Sequence, residues 1–244
     1  MTGTDHPTEP PEPAKPSEPA EPSRDPEARG VRLVPVLLLL TAISGLIDAV
    51  TYLGLGHVFT ANMTGNVVVL GFAAAGAPGF SVPHTTTSLV CFLVGAVVGG
   101  RTSRRPEAGS RRSWTRMTLA AEAVLVGISA AVAFAAPDHA PVTVYSVIAL
   151  TAFAMGLRNA TVRKLGVADL TTTVLTMTLT GLASDSRAGG GAGTHSPRRT
   201  ASVIAMVVGA TLGAWLVLRH GIAVPLLVGA VVVAVLALTA SGRE

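Results

Sequence analysis

A few side chains in this sequence stand where apolar residues would be expected. Asp48 lies inside the run Leu33–Leu55, where an ionised carboxylate costs about 2.5–3.5 kcal/mol at the centre of a membrane helix. The stretch FTANMTGNVVVLG (59–71) opens with Thr60, Asn62, Thr64, Gly65 and Asn66 and turns apolar only at Val67. Its distant echo, LTTTVLTMTLTG (170–181), presents Thr171, Thr172 and Thr173 and follows a second polar pair, Arg158 and Asn159. A carboxylate, amides and hydroxyls inside a membrane can bind a coupling proton, a cation or a small solute. They can equally satisfy irregular backbone that lipid alone would not tolerate. Asp48 therefore has two readings: a coupling site, or a structural acceptor for re-entrant backbone or for Arg158. Arg158 is read as snorkelling toward the cytoplasmic headgroups, with an inward orientation as the alternative. Glu122 is read as an interfacial or helix-capping carboxylate.

Other chemistries lack their residues. The six His are scattered without an i,i+4 pair or a nearby carboxylate cluster, and Cys91 is alone, so neither a metal site nor an internal disulfide is expected. No Ser-His-Asp set, HExxH, carboxylate pair or Walker A motif is present. The expectation is a chain that is not an enzyme, has no cofactor and does not drive ATP-dependent transport by itself.

The elements that must position these residues follow from composition. The chain is 49% hydrophobic and 13% charged, with a mean hydropathy of +0.55, and apolar segments recur from Leu33 to Ala240. That is a multi-pass membrane protein, with the lipid bilayer as its first partner. Residues 1–30 are rich in Pro, Glu and Ala and lack apolar periodicity, which predicts a disordered cytosolic tail. Three basic against seven acidic residues give that tail −4, which leaves +8 on the rest of a chain whose total is +4. The sequence pI of about 10.0 thus comes from loops and is no argument for nucleic acid.

Apolar segments fall at 33–55, 61–77, 86–100, 117–136, 142–162, 170–183, 201–219 and 222–240. Segments 61–77 and 170–183 open with polar residues, and their apolar parts are short for a slab of roughly 30 Å. Arginines test them. Arg24, Arg29 and Arg32 precede the first span, and the connection 101–116 carries Arg101, Arg104, Arg105, Arg111, Arg112 and Arg116. Both should face the cytoplasm, so an even number of crossings separates them and 61–77 is re-entrant. PDHAP (137–141) has no Lys or Arg and faces out. The fold expected is an all-α polytopic membrane protein with about six transmembrane helices, two short re-entrant or broken helices and both termini inside.

An internal repeat is expected as well. Gly45-Leu46-x-Asp48-Ala49 lines up with Gly156-Leu157-x-Asn159-Ala160 at a spacing of 111 residues. Val94-Gly95-Ala96-x-x-Gly99 lines up with Val208-Gly209-Ala210-x-x-Gly213 at 114. The two membrane units are 31–136 and 137–244, and three crossings each make them inverted, as in many secondary transporters. The Gly-x-x-x-Gly pairs are read as packing within the monomer, and homo-oligomerisation stays open. Facing N-termini of the two short segments would suit an anion or a carboxylate-bearing solute.

GLIDAVTYLGLGHVFTANMTGNVVVLG (45–71) resembles the N-terminal signature of the YoaK-type family of bacterial multi-pass membrane proteins, and MGLRNATVRKLGVADLTTTVLTMTLTG (155–181) resembles its downstream motif. The resemblance runs over about residues 33–240. It implies about six spans in a bacterial cell membrane and supplies no substrate, cofactor or catalytic residue. Where that family usually carries Gln, this chain has Arg158. The function expected is a secondary transporter or channel for a small solute, anions included, with the solute site built from Asp48, Thr60, Asn62, Thr64, Gly65, Asn66, Arg158, Asn159, Thr171, Thr172 and Thr173. The alternative is an accessory or structural membrane protein without transport activity.

Overall fold

The computed structural model describes residues 26–102, 111–136, 140–165, 175–191 and 196–239. Among them the chain forms eight α-helices, one short 3-10 turn at Arg187–Gly189 and no strand. They are α1 (Pro26–Gly54), α2 (Met63–Ala74), α3 (Val82–Thr102), α4 (Arg111–Ala135), α5 (Pro141–Leu165), α6 (Leu175–Ser184), α7 (Ser196–His220) and α8 (Ala223–Thr239). In hydrocarbon a helix satisfies its backbone N–H and C=O groups within one segment, which is why these Leu-, Val- and Ala-rich runs are helical.

Five helices, α1, α3, α4, α5 and α7, are long and apolar enough to cross a membrane. Helix α8 is apolar throughout but has 17 residues, about 26 Å. Helices α2 and α6, with 12 and 10 residues, reach only about 18 and 15 Å against a slab of roughly 30 Å. The protein is an all-α polytopic membrane protein. Two boundaries differ from expectation because helices extend into polar flanks. Helix α1 begins at Pro26, inside the stretch 1–30 set aside as a tail, and α3 and α4 take both ends of the connection expected over 101–116. Residues 1–25, 103–110 and 137–139, and with them most of the tail, the middle of the arginine-rich connection and part of PDHAP, lie outside the described residues. So do Thr171, Thr172 and Thr173.

Helices α1 and α5 are the most buried of the spans. Helix α7 lies along α1, α3 along α5, and α4 packs between α5 and α8. Glycines set the closest approaches. A Cβ on Gly95 would fall on the Phe153 carbonyl oxygen, one on Gly99 would meet the Leu157 carbonyl, and one on Gly156 would fall on that of Phe92. On the other pair, Gly209 meets the Ala42 carbonyl, Gly213 that of Leu46, and Gly45 that of Met206. The Gly-x-x-x-Gly pairs are thus used inside this chain, where missing side chains let backbones touch. Leu37, Ile43, Ile47 and Val50 of α1 meet Val126 of α4, Ile148 of α5 and Leu226 and Val233 of α8 in the core. Val90, Leu93, Val94 and Val97 of α3, and Val207, Val208 and Leu212 of α7, are exposed, as suits helix faces bathed in lipid.

Helix α1 ends at Gly54, and Gly56 and His57 then both take positive φ, 82° and 61°. Two successive left-handed residues reverse the chain. The His57 ring is held by a 3.0 Å hydrogen bond between Nδ1 and the Gly79 carbonyl. Residues Val58 to Asn62 therefore run back alongside α1 before α2 begins.

Candidate functional site

The returning segment is fastened to α1 by Asp48. The carboxylate Oδ1 accepts the backbone N–H groups of Thr60 at 2.9 Å and Ala61 at 2.8 Å, and Oδ2 accepts the Asn62 side-chain amide. Asp48 lies six residues before the end of α1, so α2 starts about 9 Å inside that helix end. Three N–H donors meet a buried carboxylate that otherwise faces apolar helix, and each of them is a neutral amide. Among the described residues Asp48 has no ion-pair partner.

Asn66 holds the other side of the turn. Its Oδ1 accepts the Phe59 N–H at 2.9 Å, and its Nδ2 donates to the Phe59 carbonyl and, at 3.0 Å, to Ser88 Oγ of α3. Ser88 Oγ in turn donates to the Phe59 carbonyl at 2.6 Å. Both backbone polar groups of Phe59 are thus met by side chains from α2 and α3, as irregular backbone within a membrane requires. Gly65 is required beside it, because a Cβ there would run into the Phe59 ring. Thr60 is fully buried, and its Oγ1 has no partner among the described residues. Thr64 points outward and is exposed.

Arg158 does not snorkel. It is the largest fully buried side chain, and it forms a two-armed ion pair with Glu122 of α4, Nη2 to Oε1 at 2.7 Å and Nε to Oε2 at 3.1 Å. Nη1 reaches α1, donating to the Leu40 carbonyl at 2.6 Å and Ser44 Oγ at 3.0 Å. Glu122 is accordingly neither interfacial nor a cap, and Arg158 is not the partner of Asp48. The reason is packing geometry: α4 and α5 lie side by side, so a planar guanidinium can meet a carboxylate with two parallel bonds without leaving the core. Leu40, Ser44 and Asp48 follow one another by single helix turns, which puts the ion pair about 6–12 Å below Asp48 along α1. Asn159 donates to the Met155 carbonyl of its own helix at 2.8 Å.

The structure therefore brings together Asp48, Thr60, Asn62, Gly65 and Asn66, sets Arg158 and Asn159 apart from them, and turns Thr64 away. Helix α2 packs chiefly on α3 and α6 on α7. Ser88 was not legible beforehand, since one hydroxyl in the run HTTTS (84–88) gives no signal of which faces inward. The Glu122 charge was visible, but its partner was not.

Beside the Asp48 turn a groove of about 330 Å³ opens between α1 and α7, lined by Asp48, Tyr52, Phe59 and Asn62 on one side and Met206, Ala210 and Ala214 on the other. The Tyr52 and Phe59 rings stack there with centroids 4.8 Å apart. A larger groove of about 470 Å³ between α4 and α8 has Ser113 and Arg116 at one end and is otherwise apolar.

Comparison with known proteins adds the family. Residues 36–239 match the model of the family described as "Protein of unknown function (DUF1275)". Over 150 residues the chain is 37% identical to the UPF0700 transmembrane protein YoaK of Bacillus subtilis (strain 168). That alignment spans 62% of this chain and 65% of the relative. No solved structure matches the chain.

Proposed function

The chain belongs to the DUF1275 family of multi-pass membrane proteins, and from that premise we propose that it is a secondary transporter or channel for a small solute rather than an enzyme. The observation that carries this reading is the Asp48 turn: a charged side chain holds a returning segment inside the membrane, next to a groove. Intramembrane carboxylates and interrupted helices mark solute and ion paths in transporters.

An inverted internal repeat is part of the proposal. Its support is that Gly45 and Gly156, Gly95 and Gly209, and Gly99 and Gly213 make corresponding contacts. Ala42 and Leu46 on α1 play the part for α7 that Phe153 and Leu157 on α5 play for α3. The short helices α2 and α6 also occupy corresponding places, each after a central span. Both termini are placed in the cytoplasm and the protein in the cell membrane, on the strength of the arginine distribution.

The anion preference is not retained. The N–H groups of Thr60 and Ala61, which would have received an anion, are bonded to Asp48, and the charge of Arg158 is met by Glu122. The test is uptake into proteoliposomes containing the purified chain, screened over amines, organic acids, sugars and inorganic ions. Solute-dependent uptake above that of empty vesicles is expected, and uptake of none of these classes would overturn the reading. A second reading, a structural or accessory membrane protein, is favoured by one observation: Asp48, Asn66 and Arg158 all find protein partners, as a static scaffold requires. It predicts no stabilisation by any solute.

A further inference from the structure

We propose that the groove between α1 and α7 is a binding site for a small organic cation, an ammonium whose charge sits at Asp48 and whose apolar body lies against Tyr52, Phe59 and Met206. Asp48 is buried, and the groups bonded to it are neutral amide donors, while the other ion pairs among the described residues, Arg158 with Glu122 and Arg199 with Asp185, are made elsewhere. The hydrogen bonds place the carboxylate but leave its formal charge without a counter-ion among the described residues, in a region where a bare charge is expensive. An anion would add to that cost, and a neutral solute would not relieve it. A cation would.

The lining selects among cations. Calcium takes six to eight oxygen ligands, and magnesium needs near-ideal octahedral oxygen geometry. Among the described residues that line the groove, the other polar side chains are Asn62 and Tyr52, and the opposite wall is Met206, Ala210 and Ala214. That is poor metal coordination and a good apolar seat. The stacked Tyr52 and Phe59 rings supply the negative π-faces that attract an alkylammonium. A volume of about 330 Å³ lies at the small end of ligand sites, which span roughly 300–1,000 Å³, so the ligand is compact.

The proposal names a substrate class for the transporter reading and rests on that reading only for the word substrate; binding stands by itself. The test uses the full purified chain in detergent, with choline, tetraethylammonium and benzyltrimethylammonium chlorides as probes against sodium chloride and sodium benzoate at equal ionic strength. At least one of the three ammonium probes should raise the melting temperature with increasing concentration, by mass action on the folded state, while sodium chloride and benzoate should not. Asp48→Asn keeps an oxygen acceptor for the Thr60 and Ala61 N–H groups and should weaken ammonium binding by about tenfold or more. Tyr52→Leu should weaken it by about threefold to tenfold. If Asp48→Asn does not fold, Ala214→Leu decides, since it fills the groove from α7 without touching the carboxylate and should abolish the shift. Failure of all three ammonium probes to shift wild type, or an undiminished shift in Asp48→Asn or Ala214→Leu, overturns the site. Labelled uptake of the best probe into proteoliposomes separates the two claims. Binding without uptake leaves the site standing and counts against transport, whereas uptake of another solute class without ammonium binding rejects the site and keeps the transporter.

Discussion

Arg158 and Asn66 carry the sharpest predictions at the scale of single residues. Removing one half of a buried ion pair leaves an uncompensated charge, so Arg158→Met should cost about 3–5 kcal/mol of stability. Replacing both halves, Arg158→Met with Glu122→Leu, should recover most of that loss, because two apolar residues of similar volume need no partner. Denaturant titration of the purified protein measures both. Equal destabilisation by the single and double replacements would mean that the contacts to Leu40 and Ser44, rather than the pair itself, matter. Asn66→Ala orphans the N–H and weakens the cover of the carbonyl of Phe59, and should cost about 1–3 kcal/mol. A loss below about half a kcal/mol would mean that the turn finds other partners.

Among the elements, the helix pairs α1–α7 and α3–α5 depend on glycines whose missing side chains admit a neighbouring carbonyl. Gly209→Val and Gly95→Val should each push a helix pair apart and destabilise the fold by about 1–3 kcal/mol or more, the range for overpacking. Gly71 in α2 is the control. A Cβ there meets nothing within 4 Å, so Gly71→Ala should be neutral or stabilising by up to about 1 kcal/mol through helix propensity. Melting curves of the three variants side by side test the contrast, and three similar losses would deny it. The short length of α2 has a separate origin: Gly56 and His57 reverse the chain before Asp48 receives it, so the helix starts well inside the level at which α1 ends.

Orientation is a property of the whole molecule, and its prediction rests on six arginines in one connection. In a Cys91→Ser background on intact cells, a membrane-impermeant thiol reagent should label Asp138→Cys and leave Ser110→Cys unlabelled. Labelling at position 110 from outside would reject six crossings with internal termini. Packing of the bundle explains why α3 and α7 expose much of their valine and leucine while α1 and α5 bury most of theirs: the central spans meet protein on most sides and the outer ones meet lipid.

Much of this was determined by sequence alone. Hydropathy and length mark the spans and single out 61–77 and 170–183 as too short, because the thickness of the bilayer is a fixed ruler against a rise of 1.5 Å per residue. Glycine spacing marks the faces that can approach closely. Which polar groups meet was decided only in three dimensions. Asp48 has Thr60 and Ala61 twelve and thirteen residues away, a local pairing that the reversal at Gly56 and His57 permits and that a reading of the segment could entertain. Arg158 finds Glu122 thirty-six residues back and Leu40 across 118. Nothing in the order of residues along the chain specifies that α4, α5 and α1 converge at one height, and a charge inside an apolar run reads the same whether it snorkels or is paired. The choice is made by packing, since only the assembled bundle supplies the carboxylate and carbonyl that make burial of a guanidinium tolerable.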